Sequence, residues 1–196
     1  SSNGAAANVL HYKAAPSVSA TMTFTTTIDG VFLVDPSVCA AGFSGLHATP
    51  FDVEAGAGGA GAQSVQAVRL PPTVNGCLLI SSITLDRAVT AMGITTTSGT
   101  TGAWTILETV AFSAGNCKAQ YLAWCVQVTA GALTASWDWT TNAQRSVRIA
   151  SFKPAAAAAG NPWYAYAQQR TRTVLERTWR RPGLLWTPSY ALRKAA

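Results

Sequence analysis

Over residues 18–24 every second side chain is apolar, with Val18, Ala20, Met22 and Phe24 alternating with Ser19, Thr21 and Thr23. An extended chain points successive side chains to opposite faces, so a period of two marks a strand with one buried face. The habit recurs through the first 154 residues, and nothing before residue 160 sustains a helical period. Candidate strands fall at 18–24, 31–34, 38–43, 64–70, 77–85, 89–96, 104–112, 118–128, 133–139 and 145–152. They are separated by breaks such as Asp29-Gly30, Pro71-Pro72 and Gly115-Asn116. Many short strands with closely spaced turn signals predict an all-β fold, an antiparallel β-sandwich or jelly-roll-like body. The Leu- and Ile-rich run 77–85 suits a strand covered on both faces. In 118–128, Leu122, Trp124, Val126 and Val128 share one face. The expected core comprises Met22, Phe24, Leu79, Ile83, Trp104, Leu122, Trp124, Val126, Val147 and Phe152.

Composition divides the chain into three parts: a body (1–154), a small-residue linker (155–161) and a basic, aromatic C-terminal arm (162–196). Hydrophobic residues make up 48% and charged residues 11% of the 196. That balance supplies a core and excludes a disordered chain. No apolar run reaches the length of a membrane-spanning helix, and the first residues lack a signal-peptide pattern, so no membrane partner is expected.

The charge is unevenly distributed. Cations and acids balance through Lys153, and the whole net charge of +6 lies beyond it, where Glu176 is the single acid. The arm also holds Trp163, Tyr164, Tyr166, Trp179, Trp186 and Tyr190, which are too many rings to leave in water and too few residues to form a core of their own. Residues 164–181 fit a helix, with Glu176 and Arg180 at i,i+4, and equally an extended segment, given β-branched Thr171, Thr173, Val174 and Thr178. Arg170, Arg172, Arg177, Arg180 and Arg181, with Trp163, Trp179 and Trp186, are the expected partner-docking residues, because Arg and Trp are the usual anchors of interfaces. The body offers no basic groove to extend the track, which argues against nucleic acid as the partner.

Motifs for chemistry are missing. Gly56-x-Gly58-x-x-Gly61 matches the dinucleotide fingerprint as a string, but the residues between Gly61 and Pro71 alternate like a strand where the mechanism needs a helix, so 55–62 reads as a flexible loop. Cys39, Cys77, Cys117 and Cys125 have no C-x-x-C spacing and read as buried thiols. His11 and His47 are the only imidazoles, and the acids Asp35, Asp52, Glu54, Asp86, Glu108 and Asp138 are scattered, mostly beside turns. No catalytic, cofactor-binding or metal-binding residues are assigned, and no enzyme is expected. Trp137 and Trp139 share a strand face with Asp138 opposite. Exposed, they would form a glycan-stacking platform; inward, they are core or subunit contact.

The body resembles β-sandwich modules of tailed-bacteriophage virion proteins. The resemblance rests on Gly102-Ala103-Trp104-Thr105-Ile106-Leu107, Ala119-Gln120-Tyr121-Leu122-Ala123-Trp124, Leu133-Thr134-Ala135-Ser136-Trp137 and Val147-Arg148-Ile149-Ala150-Ser151-Phe152-Lys153-Pro154. It departs from the pattern at Ala103, where such modules carry Gly before Trp, and the arm has no counterpart. It implies a capsid-decoration, head-fibre or tail component located in the virion, homo-oligomeric and in contact with other virion subunits. The alternative is a carbohydrate- or host-receptor-binding β-sandwich module.

Overall fold

The computed structural model describes residues 8–14, 39–110 and 119–155, together with two short strands near the C-terminus; for 60–63, 108–110 and those two strands it describes the backbone alone. By chain contact the protein divides into two units, Ser1–Ala14 with Asp35–Tyr166, and Ala15–Val34 with Ala167–Ala196. Expected strands 18–24 and 31–34, core residues Met22 and Phe24, Cys117 and every docking residue named in the arm lie outside the described residues.

The first unit is built on one antiparallel sheet of six strands: β1 (Leu46–Leu70), β2 (Leu78–Leu85), β3 (Gly93–Ser98), β4 (Thr105–Val110), β5 (Ala119–Val126) and β6 (Leu133–Pro154). The order is β1-β6-β2-β5-β4, with β3 also on β6. The fold is therefore all-β, as the alternation predicted, and no helix occurs among the described residues. In the second unit, β7 (Thr173–Glu176) pairs antiparallel with β8 (Ala191–Lys194). The helical alternative for 164–181 thus fails over Thr173–Glu176, where β-branched Thr173 and Val174 favour the extended chain.

Two strands are much longer than the sequence implies. β1 and β6 form an antiparallel ribbon from Leu46 opposite Pro154 to Leu70 opposite Leu133. Residues 55–62, expected to be a flexible loop, lie inside β1: 55–59 pair in register with β6, which supplies the partner that a Gly/Ala run does not announce, and 60–62 carry the strand across the register shift to Gln63. The ribbon is irregular where the register shifts, between Gly59 and Gln63 and again between Gln63 and Val65. Such bulges bend a strand without ending it, which is why 133–139 and 145–152 are one strand. On its other side β6 changes partners, pairing with β3 over Asp138–Thr134 and with β2 over Arg145–Phe152. Residues 39–43, expected to be extended as part of 38–43, form no strand.

β2 lies between β6 and β5 and is covered on both faces, as its apolar run required. On one face the main core gathers Leu70, Leu79, Ile83, Leu85, Leu133, Trp137, Val147 and Ile149, all inaccessible to solvent. The Trp137 Nε1–H donates to Ser81 Oγ at 2.9 Å, although Ser81 is in register with Ile149. The sheet therefore bends enough to carry the first half of β6 over β2. The second face holds a smaller cluster of Leu78, Ala150 and Phe152, with Phe43, Ile80 and Trp124 packed against it.

β5 corrects the expected inward face. Tyr121, Ala123 and Cys125 face the main core, in register with Ile83, Ser81 and Leu79. Leu122 is buried, but Trp124 and Val126 are half-buried and Val128 is exposed. Trp137 fills the main core beside Ser81, so next to it β5 presents Ala123 and Cys125, with Tyr121 farther along reaching Val89 O, and the Trp124 indole turns to the other face. Trp104 is likewise half-buried, its Nε1–H donating to Thr96 Oγ1 at 2.9 Å. In the loop after β3, Gly99 has φ +87° and a Cβ there would stand 2.7 Å from that of Leu133, so no other residue fits.

Candidate functional site

Trp137 and Trp139 are 0% and 4% exposed. Their shared face is the inner face of β6, and Asp138 opposite is exposed. A sugar ring needs an open indole face, so the pair is not a glycan platform in this chain; it is bulk inside the core.

Two of the described acids are not simple surface groups: Asp86, its side chain 17% exposed, accepts from Arg87 Nε at 3.1 Å and from Gln144 N at 3.0 Å, and Asp52, which sequence reasoning missed, is enclosed further. Asp52, near the start of β1, has a side chain 2% exposed. Its carboxylate accepts hydrogen bonds from Thr73 N at 2.8 Å, Thr73 Oγ1 at 2.6 Å and Ser151 Oγ at 3.0 Å, and Lys153 Nζ stands 3.9 Å away. The donors come from the loop after Pro71-Pro72 and from β6. That loop in turn receives the Gly131 N–H at Pro72 O and donates its Gly76 N–H to Gln127 O. Burial works against the charge on Asp52, but the Thr73 hydroxyl and amide, the Ser151 hydroxyl and Lys153 outweigh it and hold the carboxyl below its ordinary value.

The neighbouring thiol tests whether this cluster could act as a nucleophilic centre. Cys77 Sγ lies 3.8 Å from Asp52 Oδ2 and 3.3 Å from Val74 O. Burial, and then the charge of Asp52, push the thiol up to about 11, so at neutral pH it is protonated and unreactive. Cys125 is pushed up to about 12 by burial. Among the described residues no imidazole bonds to Ser151; His47, at the start of β1, bonds to Thr49 two residues on. Asp52 is thus a tie between β1, β6 and the loop after β1. In sequence it looks like any other acid beside an aromatic, and its donors lie far along the chain.

A second polar tie fixes residues 8–14. Asn8 is buried, its Nδ2 donating to Ser82 O at 2.9 Å and Ser146 O at 3.3 Å, and its Oδ1 accepting from Ser82 Oγ at 2.9 Å. Beyond it Tyr12 stacks on Phe51 at 5.7 Å and meets the edge of Phe152 at 5.3 Å. Tyr12 is 54% and Phe51 37% exposed, which makes this pair the most open aromatic surface among the described residues.

Among the described residues no group of three His, Cys, Asp or Glu could hold a metal ion, and no helix is long and apolar enough to cross a membrane. No protein-family model, no curated protein and no solved structure matches this chain.

Proposed function

We propose that this chain is a structural virion protein of a bacteriophage, capsid-associated or part of the tail, whose folded-over sheet is a β-sandwich and whose residues 162–196 dock onto neighbouring subunits. The observation that carries the reading is the segregation along the chain: a body with balanced charge that buries Trp137 and Trp139 in its core, followed by an arm with all the net charge and three of the seven Trp. The segments that resemble phage modules add support, since they lie at the start of β4, on β5 and on both halves of β6, which together frame the core. Trp179 and Trp186 act as anchors, and Arg170, Arg172, Arg177, Arg180 and Arg181 pair with acidic or carbonyl groups of the partner.

The test is assembly of the chain with and without residues 160–196, followed by sedimentation. The expected result is that the truncated chain keeps its β-type circular dichroism and fails to assemble; assembly with unchanged affinity overturns the reading. A salt titration separates the partner classes. Docking through aromatics changes little with salt, whereas binding to nucleic acid weakens steeply as counterions are released.

A further inference from the structure

We propose that Asn75 is a deamidation site gated by the Asp52 tie: its carboxamide persists while the loop after β1 is held from both sides and reacts when that loop opens. The inference is independent of the arm and of the phage reading. Asn75-Gly76 forms the turn between β1 and β2, and Asn75 is exposed to water. Asparagine is a thermolabile side chain, and a following glycine leaves the next amide nitrogen unshielded. The fold itself demands that glycine, because Gly76 has φ +74°, in the left-handed region that other residues enter only with strain.

The step is a hydrolysis. The Gly76 nitrogen attacks Cγ of Asn75, the Cγ–Nδ2 bond breaks as the new N–Cγ bond forms, and ammonia leaves with the proton from Gly76. Water then opens the cyclic imide at either carbonyl and gives aspartate or isoaspartate. Nothing is oxidised or reduced, and water is the only co-reactant.

In the closed loop both reacting groups are held. The Gly76 N–H donates to Gln127 O at 3.0 Å, and Asn75 Oδ1 accepts from Ala130 N at 2.6 Å. The second bond polarises the carboxamide toward attack, but attack needs the Gly76 nitrogen, and that nitrogen is engaged with Gln127. The turn between β5 and β6 grips the loop twice more, through Gln127 N to Cys77 O at 2.9 Å and Gly131 N to Pro72 O at 3.0 Å. From the other side Asp52 holds Thr73 N at 2.8 Å and Thr73 Oγ1 at 2.6 Å. Reaction therefore waits on a local opening, and its rate follows the population of the open loop. Isoaspartate carries the main chain through Cβ and so adds a backbone carbon between Val74 and Gly76. After it forms, the grip on Gln127 and the tie to Asp52 no longer fit one loop length.

The test follows the change from carboxamide to carboxylate in the full chain by peptide mapping and mass spectrometry at mildly alkaline pH. In denaturant, Asn75-Gly76 and Asn3-Gly4 are the same dipeptide and are expected to react at similar rates. In the native chain Asn75 is expected to react at least about a hundredfold more slowly than in denaturant, and Asp52→Ala to speed the native reaction by about tenfold or more. Thr73→Val removes one bond to Asp52 from an exposed residue, keeps the fold and is expected to speed it about threefold or more. Asn8→Ala cuts the contacts to Ser82 and Ser146, away from the loop, and is expected to leave the rate at Asn75 unchanged. A native rate within about twofold of the denatured one overturns the proposal, as do Asp52→Ala and Thr73→Val reacting at the parent rate, or Asn8→Ala matching Asp52→Ala, which would make the opening global.

Discussion

Replacing Asp52 by Ala removes the acceptor that joins β1, β6 and the loop after β1. Three hydrogen bonds go with it, from Thr73 N, Thr73 Oγ1 and Ser151 Oγ. A hydrogen bond to a charged group contributes about 1.5–3 kcal/mol, but the two Thr73 donors lie on an exposed residue and can turn to water. Ser151 is inaccessible to solvent; its hydroxyl still accepts from Val53 N at 3.3 Å, but for its own proton it keeps the longer contact to Val53 O at 3.5 Å. The expected net loss is therefore about 2–3 kcal/mol, the range for one strong bond and the partial loss of two more. Equilibrium urea unfolding at pH 7 measures it as a lower midpoint with the slope unchanged. The pH dependence gives an independent check. The folded carboxyl titrates below its usual 3.8, so its stabilisation is complete above that value and is lost as pH falls through it toward the folded value. Asp52→Asn keeps the shape and should lack this component of acid destabilisation. A loss under about 0.5 kcal/mol for Asp52→Ala, or identical acid limbs for the parent and Asp52→Asn, would refute the tie.

Trp137→Ala should cost about 3–5 kcal/mol and Trp124→Ala clearly less, since only Trp137 is fully enclosed; urea unfolding with the order reversed would mean that the two faces of the sheet are misassigned. Cys77 and Cys125 should resist alkylation at pH 8 in the native protein and react rapidly in denaturant, as mapped by mass spectrometry. Modification of Cys77 at the rate of an exposed thiol would contradict its raised pKa. Asn8→Ala removes both of its donor contacts and leaves Ser82 Oγ without its acceptor, so residues 8–14 should exchange amide hydrogens faster and stability should fall by about 1–3 kcal/mol. Unchanged exchange would show that the stacking of Tyr12 alone holds the segment.

The period of two along this chain determined that the body is β, because a strand with one buried face can be written in sequence only by alternation. The covered character of β2 was legible for a related reason: six of the nine residues from Cys77 to Leu85 are apolar and they fall on both faces of the strand. What alternation does not encode is the identity of the partner. Residues 55–62 lack any side chain that marks a strand, and they run inside one because β6 pairs with 55–59 and again from Gln63. The inward face of β5 was settled by its neighbours: near Trp137, Ala123 and Cys125 lie opposite Ser81 and Leu79, Tyr121 reaches Val89 O farther along, and Trp124 turns the other way. Asp52 was invisible for the same physical reason. A buried carboxylate is possible only where donors converge, and Thr73, Ser151 and Lys153 converge on it through tertiary structure alone.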